Sequence, residues 1–331
     1  MARKQALYIL RHDARELIYG ADEQHDIAQQ VDVYAPPMTA DDAMANPAIL
    51  RACEVIFSGW GGPHMDEAFL AAAPNLKAFF YGAGSIRGCV TDACWERGLQ
   101  VTSAVAANAV PVAEYTLGVI LLGLKRFWQQ AAAYHTGQPH QAIAVAGAYR
   151  STVGLVSLGT VGRLVCGLLK PFDVHVVAHD PFTKPADAAE LGVELVTLDE
   201  VFARAEVVSL HTPNLPETRG LITGAHIRAM RPSSVFLNSA RGAVVREDEL
   251  ADALAARPDL WAVLDVTIGE RTDADAPLLR LPNVTRTPHI AGSQAGECRR
   301  MGRYMVDELA RYLRGEPLRY GITRERARIM A

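Results

Sequence analysis

The stretch from Ser151 to Leu169, STVGLVSLGTVGRLVCGLL, decides how this 331-residue chain is read. It opens as a β-branched run, passes through spaced glycines and ends in an apolar helical pattern, the order of a strand, a tight turn and a helix. Against the spacing G-x-G-x-x-G it presents Ser157, Gly159 and Gly162. Gly159 keeps the position where backbone approaches a pyrophosphate, and Gly162 the one where helix packs on strand. Ser157 stands where the turn glycine would be, and a side chain there is accommodated by a negative φ, so we expect a small adjustment of the turn. Eighteen residues beyond Gly162, at the end of DVHVVAHD, comes Asp180. A carboxylate in that register accepts hydrogen bonds from an adenosine ribose and repels a 2′-phosphate, which points to NAD over NADP. Lys184, four residues on, is the cation that tempers this preference.

Outward from this turn, the pattern is β/α alternation on both sides. Downstream, residues 173–179, 207–211, 234–238, 261–265 and 283–287 read as strands that join 151–157 in one parallel sheet. Upstream, residues 6–10, 31–34, 54–58, 76–81 and 99–103 read as a separate set of strands, again separated by Ala-rich helical stretches. The chain is long enough for two domains. Between the blocks lies PVAEYTLGVILLGLKRFWQQ, a helix expected to begin after Asn108 and Pro111, with apolar residues nearly all round. Such a helix must be buried between two bodies, within the chain or across a dimer. A further helix over 297–313 should stop at Gly315 and Pro317.

Composition narrows the partners. With 33 Lys and Arg against 37 Asp and Glu, the net charge of −4 gives no general attraction to nucleic acid or anionic lipid. The five cysteines form no CxxC pair and sit in segments that read as buried, which fits a reducing compartment. The N-terminal MARKQALYIL is too short for a signal core, so a cytoplasmic location is expected. Residues 112–124, the most apolar helical stretch, contain Glu114 and fall short of a membrane span, so no membrane partner is expected. His135 and His140 lie in a polar loop without a metal-ligand frame, and no metal is expected.

Three contexts carry ionisable groups just past strand ends: Arg241 in LNSARGAVV, Asp265 and Glu270 in AVLDVTIGE, and His289 in RTPHIAG. Ligands of open α/β sheets sit beyond the carboxyl ends of the strands, so these groups can converge on one crevice. Together with YGAGSIRG (81–88), NAVPVAE (108–114), SLHTPNLPETRGLI (209–222) and NSARG (238–242), they make the chain resemble the D-2-hydroxyacid dehydrogenase family over nearly its whole length. The resemblance implies an α/β protein of two doubly wound parallel-sheet domains. A flavodoxin-like substrate domain would comprise 1–108 and 291–331, and a Rossmann NAD-binding domain 109–290. It implies hydride transfer between NAD(H) and a small 2-oxo or D-2-hydroxy acid, running as a reductase, in a homodimer built on the long helix.

Carried over residue by residue, Arg241 resembles the arginine that holds the substrate carboxylate and polarises its carbonyl. His289 resembles the general acid/base, and Glu270 the carboxylate paired with it. Asp265 resembles the residue that binds the nicotinamide carboxamide. Gly159, Thr160, Val161, Gly162, Asp180, His211, Thr212, Pro213, Thr218, Ser239 and Ala240 fall where the family contacts the cofactor. Gly82, Ala83 and Gly84 supply backbone N–H groups for the substrate carboxylate. The chemistry asks for the same set: negative charge grows on the carbonyl oxygen as hydride arrives, so a cation and an in-line proton donor are needed.

The sequence departs from the family where substrate is chosen. Ser85, Ile86 and Arg87 follow the glycine turn in place of the usual acidic residue. The loop 57–65, FSGWGGPHM, carries no Lys or Arg and presents Trp60, either to the substrate or to the domain core. This favours uncharged or apolar substrates over phosphorylated ones. The alternative from another class is an NAD(H)-sensing, corepressor-like interaction protein on the same scaffold. Formate is disfavoured, because formate dehydrogenases of this architecture pair the histidine with glutamine and this chain has Glu270.

Overall fold

The computed structural model describes residues 3–135, 145–270 and 276–330, with Glu270 described through its backbone alone. Contacts divide the chain into two compact units, residues 1–108 with 293–331 and residues 109–292. Both are α/β.

In the first unit, β1 (Gln5–Tyr8), β2 (Asp32–Val33), β3 (Val55–Ser58), β4 (Ala78–Tyr81) and β5 (Gln100–Ser103) pair in parallel. Their order, β5-β4-β3-β1-β2, is that of a flavodoxin-like sheet. Strands β3 and β4 are buried along their whole length, as apolar runs covered by helices on both faces must be. The helix Cys298–Leu313 returns to this unit and places Met301, Met305 and Leu309 in the core beside Tyr8, Phe57 and Phe80.

Beyond that helix the chain adds what the sequence pattern did not reveal, an edge strand β13 (Gly321–Ile322) antiparallel to β5, and a short helix Arg324–Ile329. Two residues are too few to show a period. The turn into β13 is held by Glu308, which is buried and accepts from the backbone N–H of Arg319 (3.1 Å) and Tyr320 (3.0 Å).

Among the described residues, the second unit has seven parallel strands: β6 (Ser151–Val156), β7 (Val174–His179), β8 (Val193–Leu195), β9 (Val207–Leu210), β10 (Val235–Asn238), β11 (Trp261–Leu264) and β12 (Val284–Arg286). The order β8-β7-β6-β9-β10-β11-β12 reverses direction at β6, so the carboxyl ends of β6 and β9 open a crevice at the switch point. Only β8 was absent from the sequence reading.

The long helix differs from expectation at both ends. It runs Val105–Leu124, with Pro111 inside it, and a separate helix follows at Phe127–His135. Its start is displaced because the Ser103 hydroxyl accepts from the Val105 N–H at 3.2 Å, capping the first turn ahead of the proline. Its stop comes from Arg126, which adopts a φ of 55° and buries its guanidinium against the Glu206 carboxylate and backbone carbonyl. At 20 residues this helix is long and apolar enough to cross a membrane by length and composition, contrary to the shorter stretch read from sequence. It packs Ala113, Val119, Ile120 and Leu124 into the core of the second unit. The polar loop of residues 136–139, with His140, lies outside the described residues.

Candidate active site

The turn after β6 corrects the expectation for Ser157. Its φ is +78°, the region an L side chain rarely adopts, and not the negative value anticipated. The turn keeps the geometry that a glycine would have given because its neighbours leave no other. A Cβ on Gly162 would sit 2.3 Å from the Ser157 carbonyl oxygen, so the helix Thr160–Leu169 packs directly on the turn. Around Gly159, nothing lies within 4 Å of where a Cβ would be, which leaves the backbone approachable at the helix N-terminus. No acidic residue occupies that first turn, so its N–H groups are available to an anion.

Asp180 stands at the end of β7 and does more than the sequence suggested. One oxygen accepts from the Leu158 N–H (2.7 Å), and the other from Phe182 (2.8 Å) and Thr183 (2.9 Å). The carboxylate therefore ties the glycine turn to the next strand while remaining half-buried, with lone pairs left for a ribose.

Past β9, the His211 N–H donates to Val156 (2.9 Å), and its Nε2 lies 3.0 Å from the Ser209 hydroxyl. Burial pushes the imidazole down to about 4, so it is neutral at physiological pH. Thr212 is buried with its hydroxyl 2.8 Å from that of Ser157. Thr218 donates to the Pro213 carbonyl (2.5 Å) and accepts from the Leu215 N–H (2.8 Å), so it shapes this loop from within.

After β10, the Asn238 side chain folds the NSARG segment, accepting from Ala240 (3.0 Å) and donating to the Arg241 carbonyl (3.2 Å). Ser239 has a buried hydroxyl without a partner among the described residues. The half-buried Arg241 donates to the Ala240 carbonyl at 2.6 Å. Gly242 is obligatory, since a Cβ there would come within 2.2 Å of the Thr267 backbone. That contact sets the Arg241 turn against the segment leading to Glu270, which closes a short turn at Ile268–Glu270 with Gly269 at φ 68°. The side chain of Glu270 lies outside the described residues.

Asp265, at the end of β11, is 2% exposed. It accepts from the Thr287 hydroxyl (2.6 Å) and from the N–H groups of Ile290 (2.8 Å) and Ala291 (2.9 Å), while its carbonyl accepts from the His289 N–H (3.0 Å). The loop carrying His289 is thus wrapped around one buried carboxylate. His289 itself is exposed, with a φ of 55°. A cavity of about 230 Å³ opens beside it, lined by Asp265 to Thr267 and Arg286 to His289. The sequence reading missed Thr287 and Tyr115, whose hydroxyls lie 3.2 Å apart. The only available signal was a threonine two residues before the histidine.

In the first unit, the turn after β4 is held by hydroxyl donors. Ser103 donates to the carbonyls of Ala83 (3.1 Å) and Gly84 (2.5 Å), and Tyr19 to that of Ser58 (2.8 Å). Ala83 is buried, and Gly82 has no room for a side chain beside Ile18 and Tyr19. Trp60 is half-buried and packs against the hydrophobic core. Arg87 is exposed and reaches the carbonyl of Arg328 at 3.2 Å. Among the described residues, no cluster of His, Cys, Asp or Glu is arranged to hold a metal.

An open helix N-terminus at Gly159, a turn packed on Gly162 and a strand-end carboxylate at Asp180 are features that suit a dinucleotide. Residues 117–291 match the family model described as D-isomer specific 2-hydroxyacid dehydrogenase, NAD binding domain. D-3-phosphoglycerate dehydrogenase of Mycobacterium tuberculosis is 35% identical over 254 residues, 76% of this chain and 48% of the relative. The chain thus spans about half the length of the phosphoglycerate dehydrogenases it matches. (S)-Sulfolactate dehydrogenase of Chromohalobacter salexigens is 34% identical over 251 residues, 75% of this chain and 81% of the relative. The solved D-mandelate dehydrogenase of Rhodotorula graminis superposes with a TM-score of 0.80 at 24% identity, covering 97% of this chain and 98% of the other.

Proposed function

The chain belongs to the D-isomer specific 2-hydroxyacid dehydrogenases, and on that premise we propose that it reduces small 2-oxo acids to D-2-hydroxy acids with NADH. The observation that carries this reading is the pairing, in the second unit, of a dinucleotide-type turn with the loop that Asp265 folds around His289. Bound NADH would supply the hydride. Arg241 stabilises the negative charge that develops on the carbonyl oxygen, and His289 gives that oxygen its proton, with Glu270 favouring the imidazolium. Asp180, Gly159, Thr160, Val161, Gly162, His211 to Pro213, Thr218, Ser239 and Ala240 make up the cofactor side. The turn at Gly82 to Gly84 binds the substrate carboxylate. The first unit is then the substrate domain and the second the NAD domain.

Two further features complete the proposal. The helices Val105–Leu124 and Phe127–His135 are read as the homodimer interface, and Phe127 and Tyr134 on the second are exposed aromatics. The five free, buried cysteines support a reducing, cytoplasmic setting. Nucleic acid and membrane are not among the proposed partners.

For substrate, the loop 57–65 has no cation, and Arg87 is engaged at the carbonyl of Arg328, which supports uncharged or apolar 2-oxo acids. A second reading, phosphorylated or sulfonated acids, is favoured by the names of the relatives at 30% identity and above. Steady-state reduction of glyoxylate, pyruvate, larger aliphatic and aromatic 2-oxo acids and phosphohydroxypyruvate, each with NADH and NADPH, separates the two. We expect NADH to be preferred and phosphohydroxypyruvate to have the lower kcat/KM. A higher value for the phosphorylated acid establishes the second reading.

A further inference from the structure

We propose that Ser157 is a positioning residue that latches the pyrophosphate turn to the loop after β9, and so replaces a glycine at a cost the latch offsets. The inference rests on the NAD-binding reading of this turn. Three observations carry it.

First, Ser157 holds a φ of +78°, a conformation that is strained for a non-glycine residue and persists only where surroundings over-determine it. Second, the surroundings do so: the Ser157 N–H donates to His179 (2.8 Å), the Val156 carbonyl accepts from His211 (2.9 Å), and the Leu158 N–H donates to Asp180 (2.7 Å). The Leu158 carbonyl in turn accepts from the Arg163 guanidinium (3.0 Å). Third, the one contact in this set that glycine could not make is the Ser157 hydroxyl against Thr212 Oγ1, at 2.8 Å. Thr212 is buried, and its hydroxyl also reaches back 3.5 Å to the Val156 carbonyl, so it is fixed from the β6 side.

The hydroxyl pair therefore joins two segments that a dinucleotide must contact together, the turn leading to Gly159 and the loop beginning at His211. A glycine would relax the backbone but release that joint. An alanine would keep the strain and release it too. Stability and cofactor affinity are thus expected to move independently, which a residue with a packing role alone would not produce.

The test compares Ser157→Gly, Ser157→Ala, Thr212→Val and the double variant Ser157→Ala/Thr212→Val in the full chain. Two readouts are used: NADH dissociation constant by fluorescence, and the thermal unfolding midpoint without cofactor. We expect Ser157→Gly to unfold at or above the wild-type temperature yet bind NADH about fivefold more weakly, the effect of one lost hydrogen bond. Ser157→Ala should lose both affinity and midpoint. The double variant should be no worse than its more affected single variant, because the two changes remove the same bond. Unchanged NADH affinity in Ser157→Gly, or additive losses in the double variant, overturns the latch. If the wild type does not bind NADH at all, the cofactor reading fails. The coupling of the two unfolding midpoints in the cofactor-free protein then decides whether the hydroxyl joint exists.

Discussion

The turns after β7 and β11 in the second unit and those after β3 and β4 in the first are stabilised in opposite ways. In the second unit carboxylates absorb donors: Asp180 takes three backbone N–H groups, and Asp265 takes two together with a hydroxyl. In the first unit hydroxyls absorb carbonyls: Ser103 donates to Ala83 and Gly84, Tyr19 to Ser58, and Ser58 to Ile9 (2.7 Å). With its carbonyls occupied and the Gly82 N–H donated to the Ser58 carbonyl (2.8 Å), the turn after β4 offers an anion the N–H groups of Ala83 and Gly84. A turn whose N–H groups are held by a carboxylate is rigid, and the half-buried carboxylate of Asp180 suits a ribose and disfavours a 2′-phosphate. One parallel-sheet design is thus finished by hydroxyls on carbonyls in one unit and by carboxylates on N–H groups in the other.

The sharpest way to break this contrast is to neutralise the carboxylate of one turn and the hydroxyl of the other. Asp265→Asn turns an acceptor into a donor facing the N–H groups of Ile290 and Ala291, and hydrogen bonds to charged groups carry about 1.5–3 kcal/mol each. A stability loss of about 3 kcal/mol in denaturant unfolding is expected, with the loop of His289 released and turnover falling with it. Ser103→Ala removes neutral bonds and should cost only about 1 kcal/mol. Equal losses would mean that the two units are not built differently.

Acid titration probes burial at the second unit's crevice in a further way. His211 sits near 4 in the folded chain against an ordinary value of 6.5, so the unfolded chain takes up its proton first. The sign follows: this contribution to stability is fully present above about pH 6.5 and is lost as pH falls toward 4, by at most about 3 kcal/mol. Unfolding free energies measured across that window should fall less steeply for His211→Gln than for the wild type. Identical slopes would show that His211 is not held neutral by burial.

What was legible in the sequence follows from the period and length of each element. Strands such as β3, β4, β9, β10 and β11, and the β/α alternation that makes the sheets parallel, stood out because fully buried strands read as apolar runs. The strand β8, with only one of three residues buried, and the two-residue β13 carried no such signal. The start of the long helix was misplaced because Pro111 resembles a first-turn proline, whereas the cap is Ser103, eight residues earlier. Arg241, Asp265 and His289 do follow β10, β11 and β12, as the pattern of the sequence implies. The positive φ at Ser157 has no signature in the sequence, because it is set by neighbours on other strands that fix the turn. The role of Asp265 in folding the His289 loop depends on Ile290, Ala291 and Thr287, whose backbone and hydroxyl groups leave no trace in a motif.

The central claim is that His289, on the loop that Asp265 organises, moves the proton in reduction of a 2-oxo acid. Its most direct test is single-turnover oxidation of NADH by the best 2-oxo acid, with wild-type protein and His289→Gln, alongside NADH affinity. We expect a fall of at least about 100-fold in the rate, with affinity held within about twofold. An unchanged rate removes His289 from the chemistry. A wild type that binds NADH but reduces no 2-oxo acid contradicts the enzyme reading and leaves the cofactor-sensing one.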